Sequence, residues 1–235
     1  MRRLATVILH YGSAVMTEKL FRQLSGQDVF VFDNNAPEPF AGAWKRARTN
    51  LYWPGALELC AGEMKKHGFS HLWFLNNDIV FSDPAGLFER VRTRHTWITR
   101  QLGKIGLYSP SVTRSPYHAQ MTCQPVAQFA RASYIDGIAP LIDLACLGEI
   151  GGLDIAENIY GYGVDVWLSW RAAQAGWNVI VDHQVVIHHK YHSTAATVNG
   201  YLQKAAGAEQ VYLAARLGPD FRRQLAEMAQ NAQLF

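Results

Sequence analysis

The chain has 235 residues, of which 49% are hydrophobic and 17% charged. That suits one large α/β domain, or one domain plus a small appendage, and excludes general disorder. A net charge of +3 and a pI near 8.8 suit an anionic ligand or an anionic membrane surface, but are too weak to indicate nucleic acid.

The elements follow in chain order. "LATVILH", from residue 4, is a short apolar run of the kind a buried parallel strand shows. It is too short for a signal peptide, and no run approaches the roughly 20 residues of a membrane span. Residues 14–25 suit a helix closed by Gly26. "DVFVFDNN" reads as a second strand with a polar end, followed by a loop rich in proline and glycine. "PGALELCAGEMKKHG" reads as a helix with Pro54 near its start and Lys65 and Lys66 in its last turn. "HLWFLNNDIVF" is a strand that runs out to Asn76, Asn77 and Asp78 and returns to apolar residues. "SDPAGLFERVRTR" opens a further helix, and "KIGLYSP" is a strand.

After shorter strand-like pieces such as "QPVAQFA", "PLIDLACLGEIGG" suggests one helix with a glycine stop. "GYGVDVWLSWRAAQAGWNVIVDHQVVIHH" suggests a glycine-rich entry, a helix ending at Gly176, and one or two strands. The last forty residues look helical, punctuated by Gly218 and Pro219. Alternating strands and helices predict a mostly parallel central sheet flanked by helices. The ligand crevice of such a sheet lies outside the carboxyl ends of its strands. The three cysteines, Cys60, Cys123 and Cys146, form no CxxC pair and point to a reducing compartment.

Several polar residues fall where that crevice should be. Asp33 and Asp78 end strands, Asp165 opens a helix, and His188 and His189 end a late strand. Each also has a local reading. Asp33 before Asn34 and Asn35 suits a turn, Asp78 suits a loop, Asp165 complements a helix dipole, and the histidine pair suits a structural role.

Taken in order, the segments resemble the nucleotide-sugar-dependent glycosyltransferases of the GT-A fold, in particular the rhamnosyltransferase-like branch of glycosyltransferase family 2. "VFVFDNNAPEP" resembles the segment whose aspartate contacts the nucleobase, which implies that role for Asp33. "WFLNNDIVF" resembles the LNxDV form of the DXD motif, and "LGEIGGLD" the family's EIGGFDE segment. "GYGVDVWLSWRAAQAGWNVIVDHQVVIHH" is similar to the stretch that supplies the base and a histidine beside the metal. The likeness runs over about residues 4–195. It implies a GT-A glycosyltransferase domain at 1–195 and a helical C-terminal extension at 196–235.

The resemblance implies an inverting, metal-dependent glycosyltransferase that moves a hexosyl or deoxyhexosyl group from a UDP-, dTDP- or GDP-linked donor. The acceptor is a hydroxyl of a saccharide or lipid-linked glycan. Asp165 is the implied general base. Asp78 and His188, preferred to His189 by its distance from "HST", are the implied ligands of Mn²⁺ or Mg²⁺. His10 and Tyr11 occupy a nucleotide-contacting position, with His10 standing where the family has threonine. Asn76 replaces the first acid of the motif and is placed to bind a ribose hydroxyl, with Asn77 beside it. Asp136, in Asp136-Gly137, and Trp167 fall on the acceptor side. Asp136 equally suits an ordinary turn, and Trp167 and Trp170 equally suit the core. Arg171 is either structural or a phosphate contact.

Val164 and Trp167 depart from the family's acidic residues, so a catalytically degenerate module that binds nucleotide or glycan is the alternative. A sugar nucleotidyltransferase ranks lower, because "HYGSAVMTEK" lacks a glycine-rich basic loop. The expected setting is the cytoplasm, at the inner face of the membrane, in polysaccharide biosynthesis. The tail is expected to pack on the domain, with a dimer or peripheral membrane contact as alternatives.

Overall fold

Strands without polar alternation must be covered on both faces, and this requirement organises the chain. The computed structural model describes residues 3–24, 28–191, 195 and 198–235. The first part runs β1 (Leu4–His10), α1 (Ala14–Gln23), β2 (Val29–Asp33), β3 (Lys45–Arg46), α2 (Tyr52–Lys66) and β4 (His71–Asn76). β1 pairs in parallel with β2 and β4, and β2 with β3. The register sets His10 opposite Asp33 and Leu9 opposite Asn76, so the polar ends of three strands meet at one edge.

The chain continues through β5 (Ile79–Phe81), α3 (Leu87–Leu102), β6 (Ile105–Val112), β7 (Phe129–Arg131), β8 (Leu141–Asp143), α4 (Leu144–Glu149), α5 (Val164–Gln174) and β9 (Asn178–His189). It ends with α6 (Tyr201–Leu217), α7 (Phe221–Gln230) and β10 (Gln233–Leu234). The strand order is β10-β7-β9-β6-β8-β4-β1-β2-β3, with β5 on the end of β9. β6 and β9 are parallel, while β8, β7, β10 and β5 join antiparallel. The result is an α/β sheet with a parallel centre and helices around it.

"PLIDLACLGEIGG" is not one helix. Leu141–Asp143 is a strand wedged between β4 and β6, and the helix begins only at Leu144. The switch is set by Asp143, whose carboxylate accepts from the backbone N–H groups of Ala145 (2.7 Å) and Cys146 (3.3 Å) as an N-cap. α2 starts two residues before Pro54, and α3 starts at Leu87, after the Ser-Asp-Pro turn. The expected stop at Gly26 lies outside the described residues.

Trp73, Phe74, Tyr108, Phe32 and Phe129 are buried centres of the core, and the Trp73 indole donates to the carbonyl of Ala139 at 3.1 Å. At the other end of the sheet, β10 adds to β7 and Phe235 stacks on Phe129 at 4.7 Å. Among the described residues no helix is long and apolar enough to cross a membrane.

Candidate active site

A cleft of about 640 Å³ opens at the carboxyl ends of β1 and β4. The β4–β5 turn enters it from one side, the loop before α5 from another, and α6 closes a third. Tyr11, Asn76, Asn77, Asp78, Asp136 and Asp165 all line it, so the structure brings six of the sequence-predicted residues together.

Asp78 sits at the tip of the β4–β5 turn, and its Oδ1 lies 3.1 Å from Nε2 of His189. The side chains are only 10% and 8% exposed. Here the structure separates the two histidines and places His189, not the preferred His188, beside Asp78. β5 pairs with the end of β9, and adjacent strand residues point to opposite faces. His189 therefore turns into the cleft, while His188 is exposed on the other face and meets the hydroxyl of Thr113 at 3.1 Å. The "HST" residues used to choose between them lie outside the described residues. Asn77 ties the turn down, donating to the carbonyl of Tyr11 (3.1 Å) and to the hydroxyl of Thr17 (2.9 Å). The amide oxygen of Asn76 is buried with no hydrogen-bond partner among the described residues, an acceptor left over beside the cleft.

Two other predicted residues are held by local structure instead. His10 is fully buried, with Nδ1 2.7 Å from the hydroxyl of Thr17 and Nε2 2.7 Å from the carbonyl of Glu38. Asp33 is also fully buried. Its carboxylate accepts from the backbone of Ala36 (2.9 Å) and Phe40 (3.2 Å) and pairs with the Arg46 guanidinium. Neither lines the cleft. Trp167 does not line it either: it stacks on Trp170 at 4.8 Å and donates to Asp154 at 3.0 Å. Arg171 proves structural here, donating to the carbonyls of Ile150 (2.8 Å) and Gly152 (2.5 Å).

Asp165 faces the cleft from the first turn of α5. Its Oδ2 accepts from the backbone N–H of Gly137 at 2.7 Å, and its Oδ1 from that of Val166 at 2.9 Å. A side chain at position 137 would start 2.9 Å from Trp53 and 3.3 Å from Asp165, so glycine is what lets the two segments meet. Burial raises the pKa of Asp165, and the nearby imidazole of His118 works against that rise. Burial, and then the charge of Asp165, holds Asp136 well above the usual carboxylate range. The two neighbouring carboxyls therefore both hold their protons more tightly than exposed aspartates do, because burial and mutual repulsion disfavour two charges in one site.

α6 adds Glu209, whose pKa burial and then the charge of Asp165 push up to about 7. Among the described residues the cleft is thus lined by four carboxyl groups, Asp78, Asp136, Asp165 and Glu209, and by no lysine or arginine. Among the described residues no group of three or more His, Cys, Asp and Glu is placed to hold a metal ion by itself. Asp78 and His189 fit as a partial site. Two adjacent ligands of an octahedral ion, each at about 2.1 Å, stand roughly 3 Å apart, and magnesium-like sites commonly take the remaining ligands from phosphate and water.

No protein-family model matches the chain. Among solved structures, GalNAc-T7 with UDP, GalNAc and Mn²⁺ superposes with a TM-score of 0.59 at 12% identity, over 95% of this chain and 54% of that one. This chain therefore spans about half the length of GalNAc-T7. The mannosyltransferase PcManGT of Pyrobaculum calidifontis, solved with GDP-Man and Mn²⁺, gives 0.58 at 13% identity, over 97% of this chain and 75% of that one. The chain has the GT-A fold. TarS of S. aureus gives 0.56 at 10% identity, over 97% and 71% of the two chains.

By sequence, the uncharacterized protein Rv1525 of Mycobacterium tuberculosis is 26% identical over 195 residues, 80% of this chain and 74% of its own. The N-acetylglucosaminyl-diphospho-decaprenol L-rhamnosyltransferase of the same organism is 33% identical over 84 residues, 35% of this chain and 27% of its own. These likenesses bear out the GT-A resemblance, and the last agrees with the rhamnosyltransferase-like branch.

Sequence reasoning held His189 only as the second choice, and missed His118, Tyr52 and the α6 wall of this GT-A cleft. For Tyr160 and Tyr162 a signal was there, because two tyrosines flank Gly161 in a glycine-rich entry. For Tyr201 and Glu209 there was none, since α6 is polar and apolar on no simple period.

Proposed function

We propose that this GT-A protein is an inverting, metal-dependent glycosyltransferase that moves a hexosyl or deoxyhexosyl group from a UDP-, dTDP- or GDP-sugar to an acceptor hydroxyl. One observation carries the reading. An Asp78–His189 pair and Asp165 share a cleft that, among the described residues, has four carboxyls and no lysine or arginine. Such a cleft repels a bare diphosphate, and Asp78 and His189 are the residues that would hold a divalent cation, Mn²⁺ or Mg²⁺, to offset that charge. When bound, that ion neutralises the charge that develops on the leaving diphosphate.

The chain's own residues do the rest. Tyr11, Asn76 and Asn77 border the nucleotide, with the free amide oxygen of Asn76 offered to a ribose hydroxyl. Asp165 takes the proton of the acceptor hydroxyl as its oxygen bonds to the anomeric carbon from the face opposite the phosphate. The sugar–phosphate bond breaks and its electron pair leaves with the nucleoside diphosphate. Burial makes Asp165 a stronger base than an exposed carboxylate, and the Gly137 and Val166 N–H groups fix its direction. Asp136 borders the acceptor side of the same cleft, and burial and the charge of Asp165 raise its pKa. The resemblance further suggests a saccharide or lipid-linked acceptor in polysaccharide biosynthesis, with the enzyme in the cytoplasm at the inner membrane face.

A thermal-shift panel of UDP, dTDP and GDP and their sugars, with and without Mn²⁺, tests this. One nucleotide at 100 times its Kd should stabilise the protein by about 2.7 kcal/mol. The shift should need metal and vanish in Asp78→Ala. No shift with any of them would retire the transferase reading in favour of a non-catalytic module.

A further inference from the structure

The wall that α6 contributes has no counterpart in the motifs, and it is built with care. Tyr52 and Tyr201 stack at 5.7 Å and 15°, and Tyr160 lies 5.1 Å from the first and 6.1 Å from the second. The Tyr201 hydroxyl donates to the Tyr160 carbonyl at 2.9 Å. Tyr52 holds φ at 53°, a conformation that a bulky side chain adopts only under constraint. The constraint is visible. The buried Asn34 side chain donates to the Tyr52 carbonyl (3.2 Å) and to the Asn50 side chain (2.9 Å), which accepts from the Tyr52 N–H at 2.7 Å. Backbone strain held this firmly points to a residue placed for a ligand.

Glu209 stands on the same wall. The approach of α6 is so close that a Cβ at position 163 would lie 3.3 Å from the Glu209 side chain and 2.9 Å from Leu213. Arg216 locks the helix down through Asp154 at 2.9 and 3.0 Å. Among the described residues no donor hydrogen-bonds the Glu209 carboxylate, so its oxygens are free to accept. Among the described residues the cleft side of this wall offers aromatic faces and a carboxylate and no lysine or arginine; the cation that acts on Glu209, Arg222, does so from outside the cleft and donates to Gln210 at 2.6 Å.

The geometry points to an acceptor-sugar subsite made by α6, in which Tyr52, Tyr160 and Tyr201 carry an uncharged pyranose and Glu209 accepts a hydrogen bond from one of its hydroxyls, so that anionic sugars are refused. This rests on the glycosyl-transfer reading of the same cleft, and it deepens that reading by naming the class of acceptor. The C–H face of a pyranose is apolar and slightly positive, which matches the negative face of an aromatic ring. Hydroxyls donating to an ionised carboxylate make the stronger kind of hydrogen bond. A carboxylate on the sugar would instead face Glu209 and Asp165 with like charge.

The test is a saturation-transfer NMR titration of the full chain at about pH 8.5, where Glu209 is ionised, with Mn²⁺ and whichever of UDP, dTDP and GDP the thermal-shift panel shows to bind. The probes are the methyl glycosides of glucose, galactose, mannose, rhamnose and N-acetylglucosamine, and of glucuronic and galacturonic acids. At least one neutral glycoside should bind about tenfold or more tightly than either uronide, on the scale of a like-charge penalty. Glu209→Gln should bring that ratio below about threefold by removing the repulsion. Tyr201→Ala should weaken neutral glycosides about tenfold, the scale of a lost aromatic contact, and Tyr201→Phe should restore binding. Nucleotide affinity should stay within about twofold in all three variants, because they touch no donor group.

Uronides that bind as well as neutral glycosides, an absence of glycoside binding, or variants that change nothing would each overturn the subsite. Failure of any nucleotide to bind the wild-type chain would overturn the transferase reading instead, and the same glycoside titration without nucleotide would then decide the subsite.

Discussion

The two ends of β4 carry nearly the same side chains and do different work. At its start, the Ser70 hydroxyl lies 2.9 Å from Nδ1 of His71, whose Nε2 is 3.5 Å from Asp143. On paper that is a Ser-His-Asp arrangement. At its far end, Asp78 pairs with His189 at 3.1 Å. The first group is consumed by the fold: Asp143 caps α4, Ser70 donates to the Arg3 carbonyl, and burial lowers the pKa of His71. The second borders a cleft that also holds Asp165, Asp136 and an amide oxygen, of Asn76, with no hydrogen-bond partner among the described residues. In a parallel sheet the helices and loops leave the crevice at the carboxyl ends of the strands, so position along β4 separates structure from chemistry when residue type does not.

The comparison can be tested at several strengths. Asp165→Asn should cut turnover by at least about a hundredfold, the range of a general base, while nucleotide affinity holds. Near wild-type turnover would remove Asp165 from the role. Wild-type turnover should also rise with pH through the raised pKa of Asp165, since only the ionised carboxylate takes a proton. Asp78→Ala should abolish the metal-dependent stabilisation of about 2.7 kcal/mol expected at 100 times Kd. His189→Ala should weaken metal-dependent nucleotide binding at least about tenfold, the scale for groups at a metal centre, whereas His188→Ala should leave it within about twofold. Equal losses in the two would refute the assignment by strand face.

At the opposite end, Asp143→Ala should cost about 1 kcal/mol of stability through the lost N-cap, with nucleotide binding intact. Chemical denaturation and a nucleotide titration on one sample read both. The smallest effect concerns Glu209, which holds its proton more tightly in the folded chain, up to about pH 7, than an unfolded glutamate does. Between the ordinary carboxylate range and pH 7 the folded state therefore binds more protons, and stability falls as pH rises. Glu209→Gln should raise Tm at pH 8 by roughly 2 °C after allowance for solvent screening, and change it little at pH 4. A gain at pH 4 equal to that at pH 8 would show that its carboxyl carries no such penalty.

Much of this was legible along the chain. The alternation of apolar runs and helices predicted the sheet, and the strand ends at Asn76–Asp78 and the helix start at Asp165 predicted where polar groups would gather. These are short-range signals, set by a period of two or 3.6 residues and by glycine and proline. What the chain could not display is which way an end points and what it meets.

His188 and His189 are adjacent, and only the pairing of β9 with β5 decides that His189 enters the cleft. His10 and Asp33 end strands as expected, yet Thr17, Glu38, Phe40 and Arg46 take up their hydrogen-bonding groups. Trp167 is turned away by its stack on Trp170. Tyr201 and Glu209 join the cleft from a helix far along the chain because Gly163 lets α6 approach. The sequence by itself determined the elements and the edge of the sheet where chemistry gathers, because hydrophobic period and turn chemistry are local. Tertiary structure alone decided which side chains share the cleft, because that depends on register and on packing between segments distant in the chain.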